Sequence, residues 1–258
     1  MVIIKNQEQI DGIRKSCQLL AGIMKEVVSA VKPGVTTKEL NAIAEKMIFE
    51  AGAKPAFKGY KAYPSGVAFP SSLCSSINEI VVHGTSESTE PLKEGDVIGL
   101  DLGTNLNGYY SDMAVTVQVG VISPETTQLL EVTRQSLENG IAQMKPGNKI
   151  RQISKAIEDT ISPHKYGIVK EFVGHGVGLE VHEDPRIPNY VSGSLEEDLD
   201  IELRPGMVLA VEPMVNLGGD KVRILDDGWS VSTIDGSVSA HYEHTVLITE
   251  AGHEILTA

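Results

Sequence analysis

Apolar residues recur every fourth position in two separate stretches of this chain, and the stretches read alike. Leu40, Ala44 and Ile48 form one stripe within KPGVTTKELNAIAEKMI, Lys32 to Ile48; Ile153, Ile157 and Ile161 form the other within KPGNKIRQISKAIEDTI, Lys145 to Ile161. This is the spacing of a helix that buries one face. Each copy follows another helical pattern, CQLLAGIMKEVVSAV in one half and LLEVTRQSLENGIAQM in the other. Lys-Pro-Gly then ends the first helix, because proline cannot continue it and glycine tolerates the cap geometry. The likeness continues into strand patterns. LKEGDVIGLD, Leu92 to Asp101, matches LRPGMVLAVE, Leu203 to Glu212, and places Asp101 on Glu212. A Val-His pair precedes each, Val82-His83 and Val181-His182. Two helices followed by strands, repeated once, predict an α+β chain in one domain, with pseudo-symmetric halves of roughly 1–120 and 121–258 and helices over one sheet face. The second half also carries an acidic insertion, Ser192 to Glu202 in YVSGSLEEDLDIEL, which reads as a solvated stretch or lid edge.

Period-two alternation marks DVIGLDLGTNLNGYYSDMAVTVQV as a hairpin. With Asn105 to Gly108 as its turn, Asp101 falls directly opposite Asp112. Val97, Gly99, Ala114 and Thr116 share their face, while Ile98, Leu100, Leu102, Met113, Val115 and Val117 line the other. One face therefore packs, and the other sets two like charges side by side. Opposed carboxylates need full solvation, a shared proton or a bridging cation. Two further acids stand on apolar strands: Glu212, before Pro213, and Glu243, mid-strand in SAHYEHTVLIT. Four such acids are answered most economically by a pair of cations. Carboxylates joined by one or two histidines suit Mn, Fe, Co or Zn. VGHGVGLEVHEDP offers His175 and His182, and spacing alone leaves open which of them binds. Of the other histidines, His241 shares strand phase with Glu243 and could stand behind the ligands, though the surface is the expectation; His164 and His253 read as loop or surface residues and His244 as packed. Cys17 falls on a core stripe with Ile13 and Leu20.

Composition narrows the function classes. The chain has 258 residues, 41% hydrophobic and 22% charged, enough for a sizeable core. No apolar run approaches the roughly 20 residues that span a membrane, and MVIIKNQEQIDGIRKSC meets charge too early for a signal-peptide core. Two cysteines, Cys17 and Cys74, make no disulfide framework and point to a reducing cytoplasm. A net charge of −13 without a basic stripe disfavours nucleic acid. It suits a cationic partner, such as a peptide with a free amino terminus emerging from the ribosome.

The sequence resembles the type I methionine aminopeptidases, which have the pita-bread fold with a curved, mainly antiparallel sheet. SINEIVVHG, GLDLG with GYYSDMAVT, VGHGVG with VHEDP, VLAVEPMV and HYEHTVLIT occur in the family's order across essentially the whole chain. The resemblance implies two divalent ions (Co, Mn, Fe or Zn) held by Asp101, Asp112, His175, Glu212 and Glu243, with Asp112 and Glu243 bridging. It makes Glu212 the proton acceptor and shuttle, and it assigns His83 and His182 to the substrate's scissile peptide. Cys74, Trp229 and either Phe69 or Tyr63, with Phe69 preferred, would line the methionine pocket. Val181 replaces a residue that is often aromatic there and would reshape that wall, and the acidic insertion could overhang the cleft. Asn78 and Ser239 match positions near an auxiliary monovalent cation. The implied activity is removal of the initiator methionine from nascent proteins, favouring a small second residue, by a monomer. An Xaa-Pro aminopeptidase or dipeptidase of the same fold is the alternative, though such chains usually carry a further N-terminal domain. A metal-free peptide-binding module is the other, though such a loss normally deletes ligands.

Overall fold

Both stripes fold as the helices they predict. In the computed structural model, which describes residues 2–61, 66–191 and 196–258, the first half opens with α1 (Gln7–Ala30) and α2 (Thr37–Glu50). Each starts from a reciprocal capping box, Asn6 with Gln9 and Thr36 with Glu39. Gly34, at φ +93°, turns the chain between them. The second half opens with α3 (Pro124–Ile141), capped by Ser123, and α4 (Ile150–Ile161). All six stripe residues are 0% exposed. Leu40, Ala44 and Ile48 pack with Leu20 and Met24 against Ile98, Leu100 and Leu102. Ile153, Ile157 and Ile161 pack with Leu129 and Ile141 against Leu209, Val211 and Val246. Each half thus has its own helix pair and its own core, and each buried Leu or Ile contributes about 1.5–3 kcal/mol toward holding them together. Cys17 lies between, buried with Ile13, Val177 and Ala210.

The strands are β1 (Lys54–Pro55), β2 (Leu73–Ile77), β3 (Ile80–Val82), β4 (Val97–Leu106), β5 (Tyr109–Gln118), β6 (Gly167–Ile168), β7 (Gly174–Gly176) and β8 (Glu183–Ile187) in the first run. After a short α5 (Glu196–Leu199) come β9 (Val208–Val211), β10 (Met214–Asn216), β11 (Val222–Ile224), β12 (Val231–Thr233), β13 (Ser239–His241), β14 (Glu243–Thr249) and β15 (Gly252–Ile255). The main sheet runs β1-β4-β5-β14-β9-β7-β8, with β2 also on β4 and β15 on β14, all antiparallel. Two three-stranded sheets, β13-β10-β6 and β11-β12-β3, complete the walls.

Three sequence expectations change here. The β4–β5 turn is two residues, Asn107-Gly108, both at positive φ, because that geometry follows the twist of the flanking strands. Asp101 therefore pairs with Ala114 and Asp112 with Gly103, so the two acids lie diagonal rather than directly opposed. The shift is by two, which preserves the phase and keeps both on the face away from the helices. SAHYEHTVLIT is two strands: β13 ends at His241 on the β10 edge, and Glu243 opens β14 in the main sheet instead of sitting mid-strand. The acidic insertion is pinned down: Leu199 is 1% exposed, Asp198 meets Arg186 at 2.7 Å, and Asp200 lies 3.5 Å from both Lys149 and Arg151. It docks on α4 and β8 because Leu199 and Ile201 reach the second core; among the described side chains, none of 197–202 lines the cleft, and 192–195 lie outside the described residues.

Candidate metal centre and substrate cleft

Five adjacent strands each bring one donor to the inner face of the sheet. In sheet order, β4 carries Asp101, β5 carries Asp112, β14 begins with Glu243, Glu212 follows β9, and β7 carries His175. The glycines around His175 are a packing requirement. A Cβ on Gly174 would stand 2.4 Å from the Ala210 carbonyl oxygen, and one on Gly176 would stand 2.4 Å from that of Asp184. His175 Nδ1 lies 2.9 Å from the Gly176 carbonyl oxygen, to which it donates. Its Nε2 is left as a lone-pair donor, 3.5 Å from Glu212 Oε1 and 3.9 Å from Asp112 Oδ2.

The electrostatics of this cluster are unbalanced within the chain. Asp112 and Glu243 are buried, and among the described residues no lysine or arginine lines the cavity. Burial pushes Asp101 up to about 7, with Glu212 adding to the rise and His241 and a hydrogen bond to Asp112 opposing it. Burial, followed by the neighbouring acids, also holds Asp112 and Glu243 well above the usual carboxylate range. Asp101 Oδ1 and Glu243 Oε1 are buried without a hydrogen-bond partner among the described residues. Buried carboxylates left this way carry a desolvation penalty that a cation removes. Donor atoms of Asp101, Asp112 and Glu243 lie within 4.8 Å of one another, as do those of His175, Glu212 and Glu243. Two such groups sharing Glu243 suit divalent ions with oxygen and imidazole ligands. Asp112, His175 and His182 form a third group.

A cavity of ≈ 320 Å³ rises from this floor, lined by the five donors and by His83, His182, Cys74, Phe69 and Trp229. Phe69 and Trp229 meet edge to face at 5.3 Å. Cys74 lies opposite Asp101 across β2 and β4, and burial raises its thiol well above the ordinary range, so it stays protonated. Val181 is buried against Phe57, Phe69 and Cys74, and Gly103 gives Phe57 its room: a Cβ there would lie 2.8 Å from the ring. Burial lowers His83 to about 4, with Glu212 opposing, and its ring stands 5.3 Å from Phe172. His182 sits at the cleft mouth, 4.5 Å from His175 between ring centroids. Desolvation by the cleft walls, then His175 and His83, lower its pKa. Asn78 and Ser239 are neighbours, with Ser239 N donating to the Asn78 carbonyl at 2.9 Å, but the Asn78 side chain is engaged by Asp96 and by Val97 N. Tyr63 lies outside the described residues.

The sequence model of metallopeptidase family M24 matches residues 11–250. The chain belongs to that family. It is 48% identical over 247 residues to the methionine aminopeptidase of Borreliella burgdorferi, covering 96% of this chain and 94% of that protein. The crystal structure of the Rickettsia prowazekii methionine aminopeptidase superposes with a TM-score of 0.92 at 35% identity, covering both chains completely. The prolidase of Pyrococcus furiosus superposes with a TM-score of 0.77 at 27% identity, and the match covers 99% of this chain but 65% of the prolidase. The fold is the pita-bread fold, and the chain is an M24 metallopeptidase, a hydrolase that uses divalent metal.

Two residues of this M24 site escaped the sequence. His241, expected at the surface, is 3% exposed, with Nε2 3.2 Å from Glu212 Oε2. The chain change at Tyr242 carries it inward, where Thr116 Oγ1 accepts from the His241 amide at 2.9 Å and donates to its carbonyl at 2.8 Å. Tyr60 lines the cavity, and its hydroxyl lies 3.2 Å from His182 Nδ1. The signal for His241 was its shared strand phase with Glu243; for Tyr60 it was an aromatic residue after Gly59 in the segment leading to the pocket.

Proposed function

We propose that the chain removes N-terminal methionine from nascent peptides by hydrolysing their first peptide bond, in the cytoplasm, with two divalent ions. The observation that carries this reading is the juxtaposition of the five-donor cluster with the apolar wall of Phe69, Trp229, Cys74 and Tyr60 in one cavity. Relatives named methionine aminopeptidase match the chain over almost its full length, which favours this substrate over Xaa-Pro peptides.

Asp101, Asp112 and Glu243 would hold one ion, and His175, Glu212 and Glu243, with Asp112, the other. Bound there, the ions would supply Lewis acidity and a more acidic water. Glu212 stands at the edge of the cluster with Oε1 toward His175 and Oε2 toward His241. As a carboxylate it takes the proton of the attacking water and returns it to the departing amine. His83 and His182 are neutral near pH 7, since both pKa values are lowered. Each can donate one ring N–H to the substrate carbonyl as its oxygen gains charge. A Tyr60 hydroxyl donating to His182 Nδ1 puts the proton on Nε2. The phenyl and indole faces take the methionine side chain, where sulfur–aromatic contact adds about 0.3–1.5 kcal/mol.

The test is a substrate comparison. Protein treated with chelator and reloaded with Mn or Co should release methionine from Met-Ala-Ser and leave Ala-Pro peptides intact. Preference for the proline peptides would move the assignment to the prolidase side of the family.

A further inference from the structure

Away from the metal cluster, one ion pair among the described residues is almost wholly buried on both sides. Lys5 Nζ stands 2.5 Å from Glu183 Oε2, and the two side chains are 1% and 2% exposed. A buried pair recovers its desolvation cost only where the remaining lone pairs are also satisfied, and an apolar pair of similar volume would often be more stable. Here the lone pairs are satisfied. Glu183 Oε1 accepts from Leu179 N at 2.6 Å and Glu180 N at 3.1 Å. One carboxylate therefore ties the N-terminal arm to the loop that ends at His182.

Both partners are anchored. Lys5 N donates to the Gly206 carbonyl at 2.9 Å, and Tyr110 N donates to that of Gly178 at 2.7 Å. Gly178, at φ +135°, admits no side chain: a Cβ would meet Ile13 at 2.4 Å and Lys5 Cε at 3.4 Å. The lysine stem thus lies across the loop backbone. Neither Lys5 nor Glu183 lines the cleft, so neither touches substrate. What the pair fixes is the direction from which the chain enters His182.

We propose that Lys5 and Glu183 are positioning residues for His182, holding the 178–183 loop so that the imidazole keeps its place beside His175 and Tyr60. The inference rests on the reading of His182 as a substrate contact. A double-mutant cycle tests it: native protein, Lys5→Met, His182→Ala and the pair, each saturated with Mn and assayed on Met-Ala-Ser well below its melting temperature. Lys5→Met should lower kcat about 10- to 100-fold, with KM and Mn affinity unchanged, because small misplacements at a reacting centre are costly. In the His182→Ala background the same change should cost less than about twofold, since the group being positioned is gone. Amide hydrogen exchange at Leu179 and Glu180 should accelerate in Lys5→Met. If Lys5→Met does not fold, Lys5→Arg enters the same cycle, keeping the charge but crowding the slot. Equal losses in both backgrounds, or an unchanged kcat, would show that the pair serves only the fold. A native kcat in His182→Ala alone would overturn the reading of His182 itself, and amide exchange would still report whether the pair orders the loop.

Discussion

Stripping the cations should leave a protein whose stability falls as the pH rises, with Asp101, Asp112 and Glu243 all contributing in the same sense and Asp101 setting a lower bound on the fall. The Asp101 carboxyl is pushed from an ordinary 3.8 up to about 7. Between those values the folded chain keeps a proton that the unfolded chain has lost, so stability declines through the window and stays low above about pH 7. The whole gap corresponds to about 4 kcal/mol, and the part between pH 5 and 8 to about 3 kcal/mol. For a chain of this size that is roughly 6–12 °C of melting temperature. His83 and His182, with lowered pKa values, act in the opposite sense, adding stability as the pH climbs toward 6.5. Their effect is common to native protein and Asp101→Asn, so the difference between those two reports Asp101 together with the rise it imposes on Asp112 and Glu243. Scanning calorimetry of both proteins in chelator, at pH 5 and 8, is the assay. Native protein should lose roughly 6–12 °C relative to Asp101→Asn at the higher pH, and saturating Mn should abolish the effect. A difference between the two proteins that is the same at both pH values would refute the reasoning.

Asp112→Asn should weaken Mn binding and lower kcat by more than about 100-fold, beyond the loss expected from an outer partner; in chelator at pH 8, calorimetry should find it more stable than native, because a carboxyl whose ionisation burial and the neighbouring acids oppose is gone. Tyr60→Phe should leave KM for methionine peptides and Mn content unchanged while kcat drops about 2- to 12-fold, the range of one hydrogen bond, as steady-state kinetics would show. Gly176→Ala should cost about 1–3 kcal/mol in a denaturant melt and weaken Mn binding, since its Cβ would push the Asp184 carbonyl away and displace His175.

The helices and the phase of the acidic hairpin were legible because each rests on a period that burial enforces. Leu40 and Ile153 are buried as their four-residue spacing requires, and Asp101 and Asp112 share a face although their register was misjudged by two. Register depended on turn length, which Asn105-Leu106-Asn107-Gly108 leaves ambiguous until strand twist selects the inner pair. His241 was expected at the surface although it shares strand phase with Glu243, because the chain change at Tyr242 that carries it inward is a tertiary event. The Lys5–Glu183 pair joins residues 178 apart, and nothing in either segment announces the other. His175 and His182 look equivalent in VGHGVGLEVHEDP. Their difference lies in what holds each ring: the Gly176 carbonyl for one, and the Tyr60 hydroxyl for the other.

The assignment of His175 as ligand and His182 as non-ligand has a direct test. Anomalous diffraction at the Mn edge, from crystals grown with excess Mn, would locate the ions directly. Two peaks are predicted, one among Asp101, Asp112 and Glu243 and one among Asp112, His175, Glu212 and Glu243, with His182 bound to neither. A single peak, or an ion coordinated by His182, would contradict it.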